Sequence, residues 1–88
     1  MFDYARLIEA SYAGDYRVHL KFEDGVEADV DFSDQLWGYM HAPLKDKALF
    51  SQVRVNPEVH VLEWPNGADM APEITYERAV KAASGKLQ

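Results

Sequence analysis

The chain has 88 residues, of which 48% are hydrophobic and 12% aromatic, with 15 acidic side chains against 9 basic ones, a formal charge of −6 and no cysteine. A chain of that length closes one core, burying somewhat above roughly 60% of its unfolded surface, and the lack of thiols excludes disulfide staples and thiolate metal sites. The acidic balance argues against direct nucleic-acid binding, which depends on Lys and Arg neutralising phosphates. No apolar run exceeds three residues, where ~20 span a bilayer, so the expectation is a single domain over residues 1–88, off the membrane and in the cytoplasm.

In chain order, Leu7 to Tyr12 is short and moderately apolar and ends at Ala13-Gly14-Asp15, which predicts a first strand and a tight turn. The strongest local signal follows. Tyr16, Val18, Leu20 and Phe22 alternate with Arg17, His19 and Lys21, and Val26, Ala28, Val30 and Phe32 alternate with Glu27, Asp29 and Asp31. That period of two marks half-buried strands, with Glu23-Asp24-Gly25 as the turn between them.

Register follows from the same pattern. An even-length loop would set apolar residues opposite charged ones. A three-residue loop with Gly25 in the left-handed region pairs Phe22 with Val26, Leu20 with Ala28 and Val18 with Val30. On the outer face it sets Lys21 against Glu27, His19 against Asp29 and Arg17 against Asp31, a ladder of opposite charges.

Beyond the meander, Ser33 is placed to cap a short helical turn through Leu36 and Trp37, which Gly38 breaks. Residues 38–43 read as loop, and Leu44 to Gln52 as a short helix whose Leu44, Ala48 and Leu49 share a face, with Phe50 at its exit. Val53 to Val55 and Val59 to Trp64 read as a second hairpin around Asn56-Pro57-Glu58. Trp64-Pro65-Asn66-Gly67 matches a type I turn closed by a left-handed residue. A helix over about residues 73–84 carries Tyr76, Ala79, Val80 and Ala83 at helical spacing, with Pro72 at its start, Glu73 suited to its positive end and Gly85 as its stop. The predicted class is α+β: an antiparallel β-meander and a second hairpin with two or three short helices.

Taken together, Trp64-Pro65-Asn66-Gly67-Ala68-Asp69, Phe22-Glu23-Asp24-Gly25, Asp31-Phe32-Ser33 and Phe50-Ser51-Gln52-Val53-Arg54-Val55 resemble a bacterial family called domain of unknown function 2442, over about residues 6–78. The resemblance implies an α+β domain found alone or joined to a helix-turn-helix domain. It also implies a gene sometimes beside that of another small protein, in the manner of toxin and antitoxin pairs. It brings no catalytic residue to carry over. This sequence shows no DNA-reading helix pair after the family-like region, so any link to transcription is expected to run through a partner.

Catalytic motifs find little here. His19, His41 and His60 fall in three separate elements without the i,i+4 spacing of a helical zinc pair, and His19 facing Asp29 reads as one rung of a charge ladder before it reads as an acid-base dyad. Ser11, Ser33, Ser51 and Ser84 lie outside a nucleophile elbow. No catalytic, metal or cofactor-binding residue is assigned, and no cofactor is expected. The candidate interaction residues are Trp64, Asn66 and Asp69 in one segment and Trp37, Tyr39, Met40 and His41 in another, because aromatic anchors beside polar groups are typical of interface centres. A packing tryptophan in a turn and a lid over one end of the core are the plain structural alternatives.

The functional expectation is therefore a non-enzymatic protein-interaction or regulatory module with an unidentified protein partner, homodimerisation through an open sheet edge being a further possibility. The alternative is a small-ligand-binding or metal-dependent enzyme with its site at a dimer interface.

Overall fold

The computed structural model describes residues 4–85. Its first sheet is the meander of β1 (Leu7–Tyr12), β2 (Arg17–Phe22) and β3 (Glu27–Asp31), in that order and antiparallel throughout. Val18 pairs with Val30, Leu20 with Ala28 and His19 with Asp29. The Phe22 amide donates to Val26 and the Gly25 amide to Phe22, with Gly25 at φ 95°, so the three-residue loop sets the register that the alternation requires. Val18, Leu20, Phe22 and Val30 are buried. In β1 the register shifts between Leu7 and Glu9, and this bulge leaves Ile8 exposed.

Two of the expected charge rungs do not close. The Glu27 carboxylate turns diagonally to His19 instead of Lys21, the Arg17 guanidinium donates to the Ala13 carbonyl, and the Asp31 carboxylate accepts from the Ser33 amide. For Arg17 and Asp31 a nearby backbone carbonyl and amide, and for Glu27 the imidazole at 2.7 Å, outcompete an exposed cross-strand partner, whose attraction water screens. Phe32, rather than Ser33, thereby takes the N-cap position of the tight helical turn Ser33–Gln35, with no side-chain cap, and the Asp31 carboxylate holds the Ser33 amide beside it.

Residues 38–52 are more helical at their start and more broken in the middle than the sequence pattern predicts. Gly38–His41 forms one α turn, α1, and runs into the 3-10 turn Ala42–Lys45. Asp46 is extended (ψ 111°) and its carboxylate accepts from the Ala48 amide, starting α2 (Lys47–Phe50). An aspartate that can cap gains more there than inside a helix, so the single helix predicted over Leu44 to Gln52 splits at this residue. Leu44 and Phe50 are buried while Ala48 is exposed.

The second sheet contains β4 (Arg54–Val55), β5 (Leu62–Glu63) and β6 (Asp69–Met70), again in chain order. Its first hairpin is shorter than the apolar run suggests. Asn56 accepts through its side chain from the Glu58 and Val59 amides and through its carbonyl from the His60 amide, which curls residues 56–60 out of the ladder. The strand β6 is not legible as a strand in the sequence and pairs Met70 with Leu62.

Helix α3 (Pro72–Gly85) packs against β3. Its inward stripe is Thr75, Tyr76, Ala79 and Ala82, with Val80 and Ala83 turned outward, so the predicted face is rotated by part of a turn. Tyr76 explains the rotation: its ring meets Phe22 edge-on with centroids 5.1 Å apart and its hydroxyl donates to Asp24. The buried Thr75 hydroxyl is satisfied by the Ala71 carbonyl. The two sheets meet around Phe50, whose ring has Tyr16 at 5.5 Å, Trp64 at 5.6 Å and Tyr12 at 6.1 Å.

Candidate functional site

Two segments far apart in sequence are brought to one surface. The first begins at the buried Leu36, after which the extended Trp37 and Gly38 (φ 86°) lead into α1. Trp37 is 70% exposed, Tyr39 94% and Met40 39%. A one-turn helix anchored at Leu36 carries these side chains away from the core, and burial offers no account of why they are large.

The second segment is the turn between β5 and β6. The Gly67 amide donates to the Trp64 carbonyl, the Trp64 amide to Ala68, and Gly67 lies at φ 92°, which is the predicted type I turn with its left-handed residue. The Asn66 side chain accepts from the Ala68 amide at 3.1 Å and donates across to the Met40 carbonyl at 3.1 Å. The His41 Nε2 donates to the Asp69 carbonyl at 2.7 Å. A Cβ on Gly67 would stand 3.4 Å from the Met40 methyl, so that contact has little room to spare.

Of the seven residues singled out in the sequence, Trp37, Tyr39, Met40, His41, Asn66 and Asp69 therefore share one surface. Trp64 lies beneath it: it is 3% exposed and its indole N–H donates to the Phe50 carbonyl at 2.9 Å. Its place is the core, where it supports the turn from below. A shallow depression of about 390 Å³ runs along Gln35, Trp37, Tyr39, Met40 and His41.

One contributor is not legible in the sequence. Arg78 on α3 grips Asp34 with both terminal nitrogens, at 2.9 and 2.8 Å, and donates to the Asp31 carbonyl. This pins the turn that precedes Trp37 and holds the Asp34 carboxyl below its ordinary value. The partners are 44 residues apart in sequence, and no short-range pattern links them.

The histidines do not converge. His60 sits at φ 58° with Nδ1 3.3 Å from the Leu7 carbonyl, and Glu63 is engaged by Arg54 and Asn56. His19 lies between Ser11 and Asp29 in one cross-strand row, an order of residue types that invites a nucleophile reading. Its Nδ1 meets Asp29 at 2.6 Å, but its Nε2 meets Glu27 at 2.7 Å. Neither ring nitrogen is left to take a proton from Ser11, as a general base must. Among the described residues no three His, Asp or Glu side chains are grouped to hold a metal ion, and no helix is long and apolar enough to cross a membrane.

What the surface offers is aromatic area, a thioether and hydrogen-bonding rims on a pinned backbone, which is equipment for binding. No curated protein and no solved structure matches the chain significantly. The model of the family described as Protein of unknown function (DUF2442) matches residues 7–81, nearly the whole length and through both surface segments, and the chain belongs to that family.

Proposed function

We propose that this chain is a non-enzymatic protein-interaction or regulatory module of the bacterial cytoplasm, and that the face built from residues 37–41 and 66–69 is where it meets another protein. The observation that carries this reading is the outward display of Trp37, Tyr39 and Met40 on loops tied together by Asn66 and His41. Large exposed apolar side chains in one patch mark contact sites, and a surface already held in one conformation loses little entropy on binding. In its narrower form, the partner is a small protein encoded alongside, in the manner of a toxin and its antitoxin. That partner would then arrest growth when expressed alone and be neutralised by co-expression.

A small-ligand or metal-dependent enzyme at a dimer interface draws less support, because the concavities are open, His19 is engaged by Asp29 and Glu27, Glu63 by Arg54, and His41 and His60 by backbone carbonyls.

Site-specific photocrosslinking tests the reading. A benzoylphenylalanine at position 39 in the native host should give a discrete adduct with another protein. The same probe at Val59, exposed in the turn at the other end of β5, should not. Loss of the adduct in the W37A/M40A background is expected. Failure to capture any protein at position 39, or identical adducts at 39 and 59, would remove the proposal.

A further inference from the structure

We propose that the partner segment seated on this face is cationic, an arginine- or lysine-bearing stretch of protein whose charged group lies over Trp37 and Tyr39 and is met by the Asp69 carboxylate. This rests on the interaction reading above and adds the partner's chemistry to it.

The argument begins with the distribution of charge. Residues 35–41 and 64–70 contain one formal charge, Asp69, and neither lysine nor arginine, in a chain of net −6. Asp69 gives its carbonyl to His41 and keeps its side chain exposed. Its cross-strand neighbour is a second carboxylate, Glu63, which is already taken by Arg54 and Asn56. The edge of the patch thus carries two adjacent acids and only one guanidinium between them.

The aromatic rings point the same way. A cation over a ring face is attracted by its quadrupole, and arginine fills this role most often. The chain uses the same contact internally, where the Lys47 ammonium lies 5.5 Å from the centre of the Tyr16 ring and bonds Asp15 at 3.2 Å. Trp37 and Tyr39 lie on the segment whose His41 bonds the Asp69 carbonyl, and neither that segment nor residues 64–70 carries a lysine or arginine to fill the same role.

Other occupants fit less well. A second copy meeting this face through a two-fold axis would bring its own Asp69, within a net charge of −6, against the same acids. An acidic partner meets the same repulsion. A wholly apolar one would bury the Asp69 carboxylate without a counter-ion, which is costly.

The test is a titration of the isotope-labelled full chain with octa-arginine, octa-lysine and octa-glutamate at about 0.15 M salt, where long-range attraction is largely screened, followed by backbone amide shifts. Octa-arginine should move the amides of residues 35–41 and 66–70. Y39A and D69N should each weaken its binding roughly three- to fivefold, while E58Q, in the turn at the far end of β5, should leave it unchanged. Shifts spread evenly over the acidic surface, equal effects from octa-glutamate, indifference to Y39A and D69N, or no shifts at all would each overturn the proposal. If position 39 crosslinks a partner whose contacting peptide lacks Arg and Lys, or a second copy of this chain, the interaction module stands and its cationic partner does not.

Discussion

His19 faces a carboxylate on each side, Asp29 at Nδ1 and Glu27 at Nε2, so both contacts are hydrogen bonds only when both ring nitrogens carry hydrogen. The bond to Glu27, and then that to Asp29, raises the imidazole above its ordinary value of 6.5, and the contact with His19 lowers Glu27 below 4.5. Because the folded imidazole holds its proton more tightly than the unfolded one, its contribution is complete below pH 6.5 and is lost as pH rises through the raised value. Glu27 contributes above 4.5 and loses its share as pH falls through the lowered value. The rung is therefore strongest between these limits, and solvent exposure keeps the effect small. The urea midpoint of the wild type should fall between pH 6 and pH 9 by more than that of H19Q, and equal falls in the two proteins would show that the rung adds nothing to stability. The two tryptophans give a contrast at the same scale. W64F removes the indole N–H and leaves the Phe50 carbonyl with the 3.3 Å bond from the Val53 amide, at a cost of about 1–3 kcal/mol for the lost hydrogen bond and the volume lost from the core, whereas W37A at an exposed site should stay within about 0.5 kcal/mol of wild type. Denaturant titration of the pair separates the supporting residue from the displayed one.

At the scale of elements, the meander depends on the loop at Gly25. Its φ of 95° lies where a Cβ is strained, and an added Cβ would meet nothing within 4 Å, so any penalty at this position comes from the backbone alone. G25A should cost about 1–2 kcal/mol, and G25N, whose side chain tolerates the left-handed region, should recover part of it in the same measurement. The register of β2 and β3 is legible in sequence because alternation, turn length and burial all agree within 17 residues of chain from Tyr16 to Phe32. The Trp64 turn is legible for the same local reason. Other elements depend on partners that the local pattern does not contain. The strand β6 exists because Met70 finds Leu62, the face of α3 is set by Tyr76 against Phe22, and the break at Asp46 reflects a choice between capping and continuing a helix. The candidate site divides in the same way. Composition marks both of its segments, but the contacts between them span 26 and 28 residues, and the burial of Trp64 depends on the ring of Phe50 beneath it.

Across the whole molecule, the exposed face is held from three directions. Arg78 of α3 fixes the turn before Trp37, Trp64 fixes the base of the second turn through Phe50, and Asn66 joins the two segments at the top. The last of these can be cut without dismantling either segment. Asn66 uses its oxygen to close its own turn and its amide nitrogen to reach Met40, so N66D keeps the acceptor that the Ala68 amide needs and removes only the donor aimed at the neighbouring loop. The new carboxylate also faces the Met40 carbonyl, acceptor against acceptor, which favours separation of the two segments. Amide hydrogen exchange should then accelerate in residues 38–42 with little change in residues 64–68, while the global unfolding midpoint falls by no more than about 1.5 kcal/mol of stability. N66A removes both functions and should accelerate exchange in both segments. If N66D leaves exchange at residues 38–42 unchanged, the loops are held by the His41 contact and by packing, and pre-organisation of the face does not depend on this bond. If it accelerates them and also weakens capture at position 39, the side chain that joins the two loops is what readies the face for its partner.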